Sequence, residues 1–216
     1  MKVVVLLGAP GSGKGTTAEK TRDKLGAQHL STGDMLRAAV KDKTPAGREA
    51  EAYMSRGELV PDSIIVRLVE DRLDRGAEDA VYLLDGFPRT AEQAGLLEES
   101  VARRNGRIAV VVYLDAPRET LISRLTGRRI CRGCGMNYHV VNLPPKKEGV
   151  CDACGGELYQ RPDDNRDTIE NRLDIYASQT EELIARYRSQ GILKRVDSSR
   201  DPDELAAQVD EIVRQS

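Results

Sequence analysis

The first residues in the chain that could do chemistry are Gly8-Ala9-Pro10-Gly11-Ser12-Gly13-Lys14-Gly15-Thr16. They fit G-x-x-x-x-G-K, the spacing of a phosphate-binding loop. Glycines let successive backbone N–H groups turn inward around an anion. A following helix N-terminus adds unpaired N–H groups and partial positive charge. Lys14 supplies a point charge long enough to reach the outer phosphates. Such a loop must lie between a strand and a helix, and the apolar run 3–7 and the stretch 18–25 predict both. Gly15 stands where the general pattern has Ser or Thr, with a hydroxyl one place later at Thr16. That displacement argues against direct magnesium ligation by the loop and leaves phosphate binding untouched. A Gly-rich turn before an ordinary helix is the plain alternative, which the Lys and the flanking elements disfavour.

Asp85 ends a second apolar run, 80–84, and opens the turn Asp85-Gly86-Phe87-Pro88-Arg89. A carboxylate there, beside a phosphate loop, serves magnesium directly or through water; a turn or helix-cap role is the competing reading. Arg89 in the same turn can grip phosphate with two parallel hydrogen bonds. Phe87, the only Phe, is expected to pack beneath the turn. Further arginines recur at Arg37, Arg124, Arg128, Arg129, Arg161 and Arg172, with Asp163-Asp164 close to the last two. Asp115 is expected to be a helix cap ahead of Pro117. The two histidines, His29 and His139, have no evident partners, and no Ser-His-Asp or Cys-His set exists. Phosphoryl transfer needs neither, because it runs on positioning and charge neutralisation. The lack of a general base fits an acceptor that is already an anion.

The four cysteines fall as Cys131-x-x-Cys134 and Cys151-x-x-Cys154. Two such knuckles match a four-thiolate zinc site, which leaves no open coordination position and is therefore structural. Two disulfides are the alternative, disfavoured by spacing and compartment. A nucleic-acid-binding ribbon is another, against which stand the mixed charge of the insert and only Tyr138 and Tyr159 as aromatics.

The elements that must position these groups follow from patterning. The 216 residues have room for one substantial core plus a smaller insert. With 33 basic and 35 acidic residues the formal charge is −2, which speaks against a general nucleic-acid or membrane-surface protein. No apolar run reaches membrane-spanning length, and the run 3–7 is too short for a secretion signal. A cytoplasmic protein is expected. Helices are predicted over 32–37 onward, from Thr44-Pro45 to Arg56, over 63–75, from Thr90 to about Asn105, over 117–126, from Asp167 onward, and over 202–214. Strands are predicted at 29–31, 80–84, 108–114 and 193–196. Between Gly127 and about Asn165 glycines, prolines and cysteines replace helical periodicity, marking an inserted module. Strands alternating with helices predict an α/β fold, a parallel sheet covered on both faces. In such sheets ligands bind beyond the C-terminal strand ends, where the Gly8 loop, Asp85 and Asp115 all lie.

Five motifs in order resemble the adenylate kinase family: Gly8–Thr16, Thr32-Gly33-Asp34-Met35-Leu36-Arg37, Asp85–Arg89, Gly127-Arg128-Arg129 and Arg161-x-Asp163-Asp164. The chain is most similar to the bacterial long-lid form with a zinc-binding lid, and Gly15-Thr16 is that family's own variant of the loop. The resemblance implies a three-layer P-loop nucleoside monophosphate kinase fold. Residues 1–30, 61–127 and 166–216 would form the core, 31–60 a helical AMP-binding insert, and 128–165 the lid. It implies reversible transfer of the terminal phosphoryl of MgATP to AMP, giving two ADP, in a monomer that binds neither nucleic acid nor membrane. Gly11, Ser12, Gly13, Lys14, Gly15, Thr16, Arg124, Arg128 and Tyr138 would contact ATP, with Arg124 against its adenine. Thr32, Arg37, Leu59, Val60, Gly86, Arg89, Gln93, Arg161 and Arg172 would contact AMP, Gln93 through adenine. Lys14, Asp85, Arg89, Arg124, Arg128, Arg161 and Arg172 would serve catalysis, with Asp85 orienting magnesium. Asp163 and Asp164 would hold arginines, and Cys131, Cys134, Cys151 and Cys154 would hold zinc. Lid closure over the ATP phosphates is likewise implied by the resemblance. A kinase for another nucleoside monophosphate would differ mainly at Thr32 and Gln93. A nucleotide-binding regulatory or nucleic-acid module would not need the pair Arg37 and Arg89.

Overall fold

The computed structural model describes residues 1–77 and 79–216. The chain runs β1 (Lys2–Leu7), α1 (Lys14–Arg22), β2 (Ala27–Ser31), α2 (Thr32–Lys41), α3 (Pro45–Arg56), α4 (Asp62–Leu73), β3 (Val81–Asp85), α5 (Ala91–Ala102), β4 (Arg107–Asp115) and α6 (Arg118–Thr126). It continues through β5 (Arg128–Cys131), β6 (Asn137–His139), β7 (Leu158–Tyr159), a 3-10 turn (Pro162–Asp164), α7 (Arg166–Ser189), β8 (Leu193–Asp197) and α8 (Pro202–Arg214). No helix is long and apolar enough to cross a membrane among the described residues.

The sheet order is β2–β3–β1–β4–β8, and every neighbouring pair is parallel. β1 reads as an unbroken apolar run because both of its faces are covered. Val3, Val5 and Leu7 enter one core with Tyr82, Leu84 and side chains of α4, α5 and α7. Val4 and Leu6 enter a second core with Leu83, Val112 and the inner face of α8. None of these five β1 side chains is more than 3% exposed, and each contributes about 1.5–3 kcal/mol of apolar burial. The fold is thus the expected α/β class, a parallel sheet between helical layers. Register then places the chemistry: Leu6 and Ser31 are both partnered with Asp85. The phosphate loop, the start of α2 and Asp85 therefore emerge at one sheet edge.

Ser31 caps α2 by accepting from the Asp34 N–H (3.3 Å), and Thr44 caps α3 through the Gly47 N–H (3.0 Å), as their residue types predict. Phe87 is buried in the first core beneath its turn. Helix α1 starts earlier than expected, at Lys14 instead of Ala18, and stops at Arg22. Its first turn is Lys-Gly-Thr-Thr, so hydrophobic periodicity had nothing to register there. Asp115 does not cap α6. Asp115 is the last residue of strand β4, and its carboxylate accepts from the Tyr113 hydroxyl (3.0 Å) and Arg195 (3.1 Å to Nε). Its carbonyl meanwhile accepts from Ser198. The inserted module is a small antiparallel sheet, β6–β5–β7, between α6 and α7.

Candidate active site

The phosphate loop leaves β1 at Gly8. A Cβ there would stand 2.5 Å from Ser12 Oγ and 2.6 Å from the Leu114 carbonyl, so only glycine fits. The Ser12 side chain lies buried under the loop, and Gly11 and Gly13 take φ of 83° and 93°. Lys14 folds back, its Nζ donating to the carbonyls of Gly8 (2.8 Å) and Ala9 (3.0 Å). Burial lowers its pKa from 10.5 to about 8; Asp85 opposes the fall, while Arg89, Arg172 and Arg128 deepen it. Gly15 and Thr16 line the same cavity. A Cβ on Gly15 would already lie 3.5 Å from Asp85 Oδ2, so glycine at this position keeps the carboxylate approachable.

That cavity has a volume of about 1550 Å³. Lys14, Arg37, Arg89, Arg128, Arg161 and Arg172 all line it, although up to 158 residues separate them in sequence. Desolvation, helped by Arg172, lowers Arg89 to about 10, and burial together with Arg37 and Arg128 lowers Arg161 to about 10. Carboxylates offset part of this charge. Arg128 grips Asp164 with Nε and Nη2 (2.8 and 2.5 Å), and Arg172 Nη1 donates to Asp163 (2.8 Å). Asp163 and Asp164 thus hold arginines, as expected. Burial would raise the Asp163 carboxyl, but Arg172 and its neighbours outweigh it and hold it below the usual range. Arg37 and Arg161 share Asp34 Oδ1 (2.5 and 3.3 Å). Arg89 donates Nε to the Gly86 carbonyl (2.8 Å) and has no carboxylate partner among the described residues. Lys14 and the arginines bring more positive charge to one concavity than the neighbouring carboxylates offset, which suits a polyanion. Arg124 stands at the wall of the cavity, its Nη2 donating to the Ser198 carbonyl (2.8 Å).

A smaller adjoining cleft is lined by Arg37, Leu59, Val60, Gly86, Arg89 and Gln93. Thr32, expected beside a base, is 1% exposed. Its hydroxyl donates to the Asp85 carbonyl (3.3 Å) and would stand 3.0 Å from a Cβ on Gly86, which lines the cleft. Gln93 is 3% exposed. Its Oε1 accepts from the Arg89 N–H (2.8 Å), and its Nε2 donates to Asp62 Oδ1 (2.6 Å).

The four cysteine sulfurs all lie within 4.8 Å of one another, with Cys131–Cys154 at 3.4 Å and Cys134–Cys151 at 3.6 Å. Bonds of about 2.3 Å in a tetrahedral zinc site set sulfurs roughly 3.8 Å apart, whereas a disulfide brings them to about 2.05 Å. The thiols are free, and the donor set fits a tetrahedral thiophilic ion. Tyr138 lines the large cavity but is only 5% exposed. Its hydroxyl faces Cys151 Sγ (3.4 Å) and accepts from the Asp152 N–H (2.7 Å), so the phenol oxygen braces the second knuckle.

A family model described as adenylate kinase matches residues 6–192. The adenylate kinase of Carboxydothermus hydrogenoformans is 50% identical over 206 residues, 95% of this chain and 96% of its own. That of a Geobacillus species is 47% identical over 210 residues, 97% of each chain. That of Staphylococcus aureus is 45% identical over 210 residues, 97% of this chain and 98% of its own. The chain belongs to the adenylate kinase family. It is accordingly a phosphotransferase, a nucleotide-binding kinase, and its cysteine cluster marks the long-lid form.

Several contacts of this chain had no signal in the sequence. Of the two histidines expected to be partnerless, His139 has hydrogen-bond partners, while the buried His29 Nε2 makes no hydrogen bond among the described residues. Pairing of β2 with β3 sets His29 Nε2 3.5 Å from Asp85 Oδ2. His139 Nδ1 accepts from the N–H groups of Val141 and Asn142 (3.0 Å each), so its proton sits on Nε2, 3.2 Å from the Ser123 carbonyl. Asp34 and Asp62 were likewise missed as partners of Arg161 and Gln93. Those pairs span 127 and 31 residues, beyond the reach of any helical or strand period.

Proposed function

We propose that this chain transfers the terminal phosphoryl group of MgATP to AMP, giving two ADP, reversibly. The observation that carries the reading is the convergence of Lys14, Arg89, Arg128, Arg161 and Arg172 on one cavity beside a phosphate loop. The loop amides of Gly11 to Thr16 and Lys14 hold the ATP phosphates. Arg128 contacts those phosphates from the lid, and Arg124 carries the adenine. Arg37 and Arg89 take the AMP phosphate in the smaller cleft, where Leu59, Val60, Gly86 and Gln93 receive the nucleoside. An AMP phosphate oxygen attacks the γ-phosphorus, the bond to the β-phosphate oxygen breaks, and ADP leaves with that electron pair. Arg161 and Arg172 neutralise the charge spread over the transferring group. The acceptor is already an anion, so no general base is required.

Asp85, facing the cavity next to Gly15, is the residue that would hold magnesium, through water. When bound, the ion neutralises charge on the β- and γ-phosphates. Residues 31–60 serve as the AMP-binding domain, 128–165 as the lid, and the remainder as the core. Lid closure excludes water, which would otherwise accept the phosphoryl group. Cys131, Cys134, Cys151 and Cys154 hold a structural zinc ion. The protein acts as a cytoplasmic monomer, independent of nucleic acid and membrane.

The test is initial-rate transfer from MgATP with AMP, GMP, CMP and UMP as parallel acceptors. Strong ADP formation with AMP alone supports the reading. Preference for another monophosphate would overturn the acceptor assignment, and no transfer to any of them would overturn the reaction.

A further inference from the structure

Gln93 is held by two partners of opposite hydrogen-bonding character. The Asp62 carboxylate, at the first position of α4, accepts through Oδ1 from the Gln93 NH2 group, which therefore faces it. The Arg89 backbone N–H can only donate, so the Gln93 carbonyl oxygen must face that. The assignment of the amide is therefore fixed by chemistry, without the ambiguity that usually attends a glutamine side chain. Gln93 reaches the smaller cleft, whereas Asp62 is not among the residues lining it.

Each end of the amide keeps unused capacity, one N–H on Nε2 and one lone pair on Oε1. Together they offer the cleft a donor beside an acceptor in a fixed order. Adenine complements that order, with its exocyclic amino group as donor next to a ring nitrogen as acceptor. A 6-oxopurine carries an acceptor oxygen where adenine has the amino group. To read it on the same edge the amide would have to turn over. That would set NH2 against the Arg89 N–H and the carbonyl against the Asp62 carboxylate, two repulsive contacts.

We infer that Asp62 is a specificity-determining positioning residue, which locks Gln93 in the orientation that accepts a 6-aminopurine monophosphate and rejects a 6-oxopurine. This rests on the reading of the smaller cleft as the AMP site. A purely structural alternative is available, because Asp62 in the first turn of α4 also complements the helix dipole.

The test compares the wild-type protein with Asp62→Ala and the isosteric Asp62→Asn. AMP and IMP serve as acceptors at saturating MgATP, and each protein is also melted thermally. The expected result is a fall of about tenfold in the AMP-over-IMP ratio of kcat/KM for Asp62→Ala, the size of one good amide–base pair. The rise in KM should be confined to AMP, with KM for MgATP unchanged. Asp62→Asn should fall partway, because Asn can face Gln93 either way round. An unchanged ratio in both variants, with activity loss that follows the drop in melting temperature, would reduce Asp62 to the helix-dipole role. A wild-type protein inactive with AMP would instead remove the AMP-site reading itself, an outcome distinct from an unchanged ratio.

Discussion

Arg128 and Asp164 tie the entry and exit of the cysteine module together, with Nε–Oδ2 at 2.8 Å and Nη2–Oδ1 at 2.5 Å. The Asp164 side chain is fully buried, and Arg172 approaches the same oxygen at 3.7 Å. Two cavity arginines are thus aimed by one buried carboxylate. Asp164→Ala leaves Arg128 half-buried and unpaired, and loss of one partner of a buried pair costs about 3 kcal/mol. Urea unfolding should show that loss, together with a lower kcat from a misaimed Arg128. If Asp164→Ala kept both stability and kcat, Asp164 would not be what aims the arginine.

Arg89 gives the opposite expectation. It donates Nε to a turn carbonyl and lacks a carboxylate partner among the described residues, and its surroundings lower its pKa to about 10. The fold gains little from this charge, so its placement serves a ligand. Arg89→Ala should therefore melt close to the wild-type temperature while kcat/KM with AMP falls roughly a thousandfold or more, the range of arginines that stabilise transferring phosphoryl groups. Turnover with AMP at the wild-type rate would remove Arg89 from the site.

What could be read in the sequence was whatever local pattern encodes. The phosphate loop was legible because Gly8, Gly13 and Lys14 sit within one turn, and the cysteines because both pairs share a two-residue gap. The parallel sheet was legible from apolar runs such as Val3–Leu7, since burial on both faces removes polar alternation. Helix α1 was misplaced because its first turn is polar and packs around the phosphate site. The Asp115 role was misread because proximity to Pro117 suggests a cap, while the partner that claims it, Arg195, arrives from β8, 80 residues later. Gln93 was legible as a candidate through family resemblance alone. Its orientation depends on Asp62, which only the packing of α4 beside α5 reveals. Tertiary contacts between distant polar side chains leave no periodic trace, and the second layer of the site is made of these.

The cysteine module can be separated from the chemistry. Its own buried cluster contains Cys131, Tyr138 and Cys151, with Leu158 packed against it, too little apolar material to fold firmly unaided. If zinc holds it, metal analysis of the purified protein should find about one zinc per chain, and Cys131→Ser should lower the melting temperature more than it lowers kcat measured well below that temperature. Protein purified without chelators yet free of metal, and melting as high as the wild type after the substitution, would refute a structural ion.

The charge state of Lys14 gives a pH signature with a definite sign. Its pKa is lowered from 10.5 to about 8, chiefly by burial. Between those two values the unfolded chain binds the proton and the folded, ligand-free protein does not, so this group makes stability rise with pH across that window. Nucleotide binding has the reverse dependence. A polyphosphate favours the charged ammonium, so above about pH 8 binding must take up a proton. MgATP affinity should therefore weaken above that pH, approaching tenfold per unit as the single-proton limit. Calorimetric titrations in buffers of different ionisation enthalpy would measure the uptake directly. Lys14→Met should bind more weakly and lose the uptake, and a wild-type affinity that stayed flat with no proton taken up would mean that Lys14 does not meet the phosphates.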